Sequence, residues 1–248
     1  MTLSKPKVTI YPDSDSLFRG AADRFKEIHT ESIQFLDRFS VVLSGGSTPK
    51  DLYNLLASGP VGRSIDWSKV HFFWSDERCV PPDQPGSNYN MTYNAMLREL
   101  DQPENNIHRI AGEQEPARAA ELYTSVIEEH FGGIEKVRFD LVLLGLGVDG
   151  HTASLFPGSP VLKEQRKIVA PVLKPGIPGP ARVTLTFPAL NASARVVFLV
   201  SGGSKAAMVK KLIEEDVSEE LPASMVCPVA GTVEFLLDEE AASLLSSS

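Results

Sequence analysis

Short apolar runs alternate along this chain with segments whose apolar positions recur at helical spacing. Val8–Tyr11 reads as a first strand. From Ser14 to about Phe39, residues Leu17, Ala21, Phe25, Ile28, Phe35, Leu36 and Phe39 broadly keep a helical period and predict a long helix. Ser40–Leu43 is a brief strand ending in Ser44-Gly45-Gly46-Ser47-Thr48-Pro49. Leu52, Leu55 and Leu56 carry the next helix, with Ser47 or Thr48 as its cap and Pro49 in its first turn. Val70–Trp74 is a strand, followed by the polar turn Ser75-Asp76-Glu77-Arg78 and a loop marked by Pro81, Pro82, Pro85 and Gly86. A helix is expected over Asn88–Leu100, a short strand near Ile107–Ile110, and a helix over 115–131.

Phe139–Leu146 is a continuous apolar run, as the buried centre of a parallel sheet requires. Ile168–Leu173 and Arg182–Phe187 predict two strands separated by the Pro/Gly turn Lys174–Pro180. Arg195–Val200 predicts another, running into Ser201-Gly202-Gly203-Ser204-Lys205 and a helix to about Glu215. Glu214–Glu220 reads as a solvated helix end and loop, and Ser246–Ser248 should fray. This rhythm predicts an α/β fold: a single doubly wound, mainly parallel sheet with helices on both faces. No composition break divides the chain, so one domain over 1–248 is expected. Ligands of such sheets bind beyond the carboxyl ends of the strands.

Composition narrows the function classes. The net charge of −8 offers no electrostatic reason for a nucleic-acid or membrane partner, so cations for an anionic ligand must be placed locally. Cys79 and Cys227 form no metal or disulfide framework and suit a reducing, cytoplasmic setting. The N-terminus has no apolar signal-peptide core, and no apolar stretch approaches the ~20 residues of a membrane span.

Two glycine-rich turns repeat the tetrapeptide Ser-Gly-Gly-Ser, at 44–47 and 201–204. Each falls between a strand and a helix, where close backbone approach and free N–H groups favour anions. Lys205 adds a full charge beside the second copy, and the two turns on one sheet edge predict a phosphate or sugar-phosphate site, against the plainer reading of two ordinary strand–helix turns; neither is a P-loop. In the Ser75–Arg78 turn, Asp76 could hold polar substrate groups and Arg78 an oxyanion or water, against the plainer reading of a solvated turn. Arg182 by itself reads as a surface residue at a strand start, and Asn88 and Asn90 read as helix caps.

Gly145-Leu-Gly147-Val-Asp149-Gly150-His151 carries two competing signals. Its first six residues satisfy the dinucleotide pattern G-x-G-x-x-G, but Glu164, the acidic residue at a suitable distance, precedes its strand. The Asp149–His151 pair is the sharper signal: imidazole can act as a general base near neutral pH, and a carboxylate beside it orients the ring. His29, His71, His108 and His130 have no comparable context in sequence. No zinc site is expected, for want of H-E-x-x-H or paired cysteines.

These blocks together resemble the 6-phosphogluconolactonases of the wider glucosamine-6-phosphate isomerase/deaminase-like group. The resemblance rests on Leu43–Pro49, Trp74–Arg78, Gly145–Pro157, Arg182-Val-Thr184-Leu-Thr186 and Ser201–Lys205, in order over almost the whole chain. It implies hydrolysis of 6-phospho-D-glucono-1,5-lactone to 6-phosphogluconate in the oxidative pentose phosphate pathway, without metal or organic cofactor. It further implies a phosphate against Gly45, Gly46 and Ser47 with Lys205 and Arg182, His151 as base oriented by Asp149, Arg78 on water or oxyanion, and Asp76 on sugar hydroxyls. The rival deaminases of the group carry an acid five positions after the histidine, where this chain has Phe156. A sugar-phosphate sensor without catalysis is the other alternative, though no DNA-binding extension is apparent. A monomer is expected, a weak dimer being the alternative, and residues 81–87 are a candidate flap.

Overall fold

The computed structural model describes residues 6–173 and 179–246. The expected turn Lys174–Pro180 and the end of the tail thus fall largely outside the described residues. Strand β1 (Lys7–Tyr11) leads into α1 (Ser14–Leu36), whose N-terminus is capped by Asp13 accepting from the Ser16 amide at 2.7 Å. The helix stops before Phe39, earlier than its apolar period suggests. Asp37 adopts a left-handed conformation (φ 55°) and its amide closes on the Ile33 carbonyl. Phe39 is thereby free to open β2 (Phe39–Leu43), which is buried throughout.

Helix α2 (Ser47–Ser58) follows β2. Next come β3 (Val70–Trp74), β4 (Asp76–Arg78) and α3 (Asn88–Ala95), with a 3-10 turn at Leu97–Glu99 completing the expected 88–100 helix. Ile107 makes only an isolated bridge to Phe72, so the short strand expected at 107–110 is absent. Helix α4 (Pro116–Phe131) has the punctuation its sequence announces: Glu115 caps it, Pro116 opens it, and Gly132 (φ 73°) ends it. The chain continues through β5 (Leu141–Leu144), β6 (Val169–Val172), β7 (Arg182–Leu185) and α5 (Phe187–Ala192). It closes with β8 (Arg195–Val200), α6 (Ala206–Glu214), β9 (Thr232–Asp238) and α7 (Glu239–Ala242).

Six strands form one parallel sheet in the order β1-β9-β8-β5-β2-β3. Its middle is a layer of buried aliphatic and aromatic side chains, among them Val41, Val42, Val142, Leu144, Val197 and Phe198. The expectation of one mainly parallel sheet is met by this sheet, but a second one lies beside it. Strands β4, β7 and β6 pair antiparallel, so the polar segment after β3 is a strand and not a turn. Strand β9 is also unannounced by the sequence: Glu234 interrupts its apolar run. That carboxylate is buried and bonded by the Arg24 guanidinium of α1. No helix among the described residues is long and apolar enough to cross a membrane.

Candidate active site

The carboxyl ends of β2, β5 and β8 converge on a cleft of about 230 Å³, closed on one side by the small antiparallel sheet. Gly45, Gly46, Ser47, Asp76, Arg78, His151, Arg182 and Lys205 all line it, and Asp149 stands behind His151. Residues from 44 to 205 in sequence therefore reach one concavity of small-metabolite size.

The histidine is held by the turn that follows β5. Its Nδ1 lies 2.5 Å from Asp149 Oδ1, and the same oxygen accepts the His151 amide at 3.2 Å. Gly147 donates its amide to the His151 carbonyl at 2.8 Å. A Cβ on Gly147 would lie 2.1 Å from His151 Nδ1, so glycine here is a packing requirement of the imidazole, with no dinucleotide involved. Burial works to raise the Asp149 carboxyl, but hydrogen bonding to His151 and its charge outweigh it and hold Asp149 below the usual carboxylate range. With Nδ1 bonded to the carboxylate, Nε2 is the ring nitrogen left for chemistry.

Register places the cationic wall. Across the β4–β7 pair Arg78 stands opposite Arg182, and Asp76 opposite Thr184. Alternation along β4 turns Asp76 and Arg78 to one face and Glu77 to the other. Arg182, expected at the surface, is only 7% exposed. Its charge is answered by Asp76 at 3.6 Å, and its Nε is buried with no hydrogen-bond partner among the described residues. Burial pulls the Arg182 guanidinium below its ordinary range despite Asp76. Arg78 Nε is likewise buried and without a partner among the described residues, while its Nη1 donates to the Gly86 carbonyl at 2.8 Å. Burial also lowers the Lys205 ammonium, against the pull of Asp149. Three cations lining one cleft and incompletely paired favour an anion there.

Asp76 is already occupied by protein. Ser154 donates to its Oδ2 at 2.5 Å and Asn88 Nδ2 to its Oδ1 at 3.0 Å, with Arg182 beside Oδ2. Asn88 is therefore a cleft residue and not the cap of α3; that cap is Ser87. Glu77, on the opposite face, accepts from the amides of Arg78, Asn88 and Tyr89 and from Ser87 Oγ. Burial still leaves its carboxyl above the usual range. Asn90 donates to the carbonyls of Asp83 and Gln84. These bonds tie residues 81–87 to β4 and α3, which argues against a freely moving flap.

The two Ser-Gly-Gly-Ser turns differ in use. At the first, Gly46 (φ 114°) takes the cap position of α2 and no side chain caps the helix, contrary to the expected Ser47 or Thr48 cap. The first-turn amides and the positive end of the helix dipole are thus left to the cleft. Tyr53 fixes this turn by hydrogen bonds to the amide and carbonyl of Ser44. In the second, the Gly202 amide donates to Asp238, which also accepts from Ser201 Oγ. Only Ser201 and Lys205 of this segment line the cleft. The second copy positions a lysine and is not itself a cradle.

Phe156 occupies the position that would separate lactonase from deaminase. It is buried, its ring centroid lies 4.5 Å from that of His151, and the Arg182 guanidinium lies 5.4 Å from its centroid. Ser154, two residues earlier, is a site residue that sequence reasoning missed; an ordinary serine in a turn gives no signal of a partner 78 positions away.

The family model for glucosamine-6-phosphate isomerases/6-phosphogluconolactonase matches residues 12–235. The human 6-phosphogluconolactonase is 41% identical over 211 residues, covering 84% of this chain and 81% of that protein. The protein of the same name from a Nostoc species is 35% identical over 245 residues, covering 98% and 99%. Among solved structures, 6-phosphogluconolactonase from Trypanosoma cruzi superposes with a TM-score of 0.87 at 32% identity, covering all of both chains. The chain belongs to the glucosamine-6-phosphate isomerase/6-phosphogluconolactonase family.

Proposed function

We propose that this chain hydrolyses 6-phospho-D-glucono-1,5-lactone to 6-phospho-D-gluconate, the lactone step of the oxidative pentose phosphate pathway. The observation that carries the reading is one cleft that holds the Asp149–His151 pair together with the buried, incompletely paired Arg182 and the half-buried Lys205. A base and phosphate-holding cations lining one small cleft suit an anionic ester substrate.

In this mechanism the phosphate sits against the α2 N-terminus at Gly45, Gly46 and Ser47, with charge from Lys205 and Arg182. His151 Nε2 takes a proton from water as the water oxygen bonds to the lactone carbonyl carbon. The negative charge collects on the carbonyl oxygen, where Arg78 stabilises it. Collapse breaks the bond from that carbon to the ring oxygen, and the proton on His151 passes to the leaving oxygen. Asp149 fixes the orientation of the ring through Nδ1. Asp76, with both oxygens engaged by protein, serves chiefly to hold Arg182 and only secondarily to meet sugar hydroxyls. No step calls for a metal or organic cofactor.

Phe156 disfavours the deaminase alternative: at the position of a ring-opening acid there is an aromatic ring packed on His151. We infer a single lactonase domain, its cleft lined by residues from 44 to 205, that acts as a monomer. The free thiols Cys79 and Cys227 support a cytoplasmic setting. A pH-stat assay on freshly made lactone tests the reading, with ammonia release from glucosamine 6-phosphate followed alongside. Acid release well above the spontaneous rate and no ammonia are expected. Ammonia production would reinstate the deaminase, and binding of 6-phosphogluconate without rate enhancement would mark a sensor.

A further inference from the structure

Three histidines separated in sequence meet far from the cleft. His71 lies near the start of β3, the edge strand of the parallel sheet. His108 follows Ile107, which bridges to that edge, and its amide donates to the Phe72 carbonyl. His130 sits in the last turn of α4. One ring nitrogen from each lies within 4.8 Å of the other two, and none of the three lines the catalytic cleft. His71 Nδ1 and His108 Nε2 are 3.1 Å apart, close to the roughly 3.3 Å that separates nitrogens on a tetrahedral zinc ion.

We propose that His71, His108 and His130 form a binding site for a borderline divalent transition metal of the zinc class, with water completing the tetrahedron. Imidazole is the preferred neutral ligand of such ions. The rings are partly exposed, so an ion can reach them. His130 Nε2 is buried with no hydrogen-bond partner among the described residues, a desolvated lone pair or N–H that coordination could satisfy after a turn of the ring. The packing keeps the rings close: His108 stacks on Phe73 with centroids 4.4 Å apart, and His130 packs edge-on to Phe131. Burial holds all three histidines below their ordinary pKa, helped by Arg38 at His71, by His71 at His108 and by both other histidines and Arg38 at His130, with His108 at about 4 and His130 at about 3. They therefore need lose no proton to bind at neutral pH. Arg38, bonded to the His130 carbonyl and lying over Phe131, opposes a cation and limits the affinity. A bound ion would tie the sheet edge, the 107–108 connector and α4 together, at the end of β3 remote from the chemistry.

The test uses the full chain without a histidine tag, titrated with Zn(II) at neutral pH and followed by thermal unfolding and by the imidazole ¹⁵N signals. The histidine of the catalytic pair is removed from competition in His151→Ala. At about a hundredfold excess over Kd, the expected rise in Tm is about 5–10 °C, retained in His151→Ala. The ¹⁵N signals of His71, His108 and His130 should shift together at about one equivalent, while His29 stays unmoved. His108→Asn and His130→Asn should weaken binding by at least about tenfold. The NMR result stands even if a variant fails to fold. No shift of the three signals at tenfold excess, or a response confined to His151, would overturn the proposal.

Discussion

Lys205 and Arg182 are both cations at the cleft, yet their surroundings give them different work. Lys205 ends a turn whose backbone is fixed by Asp238, and its ammonium carries no ion pair among the described residues. A contact to phosphate made equally before and during the reaction changes binding and not turnover. Lys205→Ala is expected to raise KM by about 10–100-fold with kcat nearly unchanged, the range of one charge-assisted hydrogen bond. Initial-rate kinetics on fresh lactone check this, and a fall confined to kcat would remove Lys205 from the anchor role. Arg182 is held by Asp76, which is held in turn by Asn88 and Ser154. Sequence made Asp149 and His151 legible because they lie two positions apart in one turn. Arg182 looked like a surface residue because its burial is a product of strand pairing, which no local pattern records.

At the scale of elements, two tyrosines close the ends of neighbouring strands. Tyr53 of α2 bonds the amide and carbonyl of Ser44 just beyond β2, and Tyr123 of α4 does the same for Trp74 at the end of β3. Each satisfies two backbone groups where the ladder runs out, and burial raises both phenols well above their ordinary range. Tyr123→Phe leaves the Trp74 amide and carbonyl buried without that partner. A loss of about 1–3 kcal/mol is expected, read as a lower midpoint in urea with an unchanged slope. The periodicity of long helices and the apolar runs of β2, β5 and β8 were plain in the sequence. Strand β4 was not, since its three residues are all charged, and β9 was hidden by Glu234, whose partner Arg24 lies in a distant helix.

Across the whole molecule, charge is arranged in two separate places. The cleft gathers cations on an acidic protein, so substrate capture should weaken as salt rises. The histidine cluster gathers groups that stay neutral in the folded chain. Its members take up a proton in the unfolded state near their ordinary pKa but resist it when folded, down to about 4 for His108 and about 3 for His130. The unfolded state thus binds more protons below about pH 6.5, and stability falls with acid from there toward pH 3–4. Thermal unfolding across that window should show a decline that His108→Phe makes shallower; an identical slope in the variant would contradict it. The histidines were unremarkable in sequence because only the β3 edge, the 107–108 connector and α4 together bring them into contact.

The central claim is that His151 is the base for an attacking water in this cleft. The most direct measurement is kcat of His151→Ala on freshly made lactone by pH-stat, with 6-phosphogluconate binding measured on the same sample. The account predicts a fall of about 10²–10⁴-fold with binding largely retained. Turnover within about threefold of the unmodified chain, a change too small for loss of a general base, would contradict it.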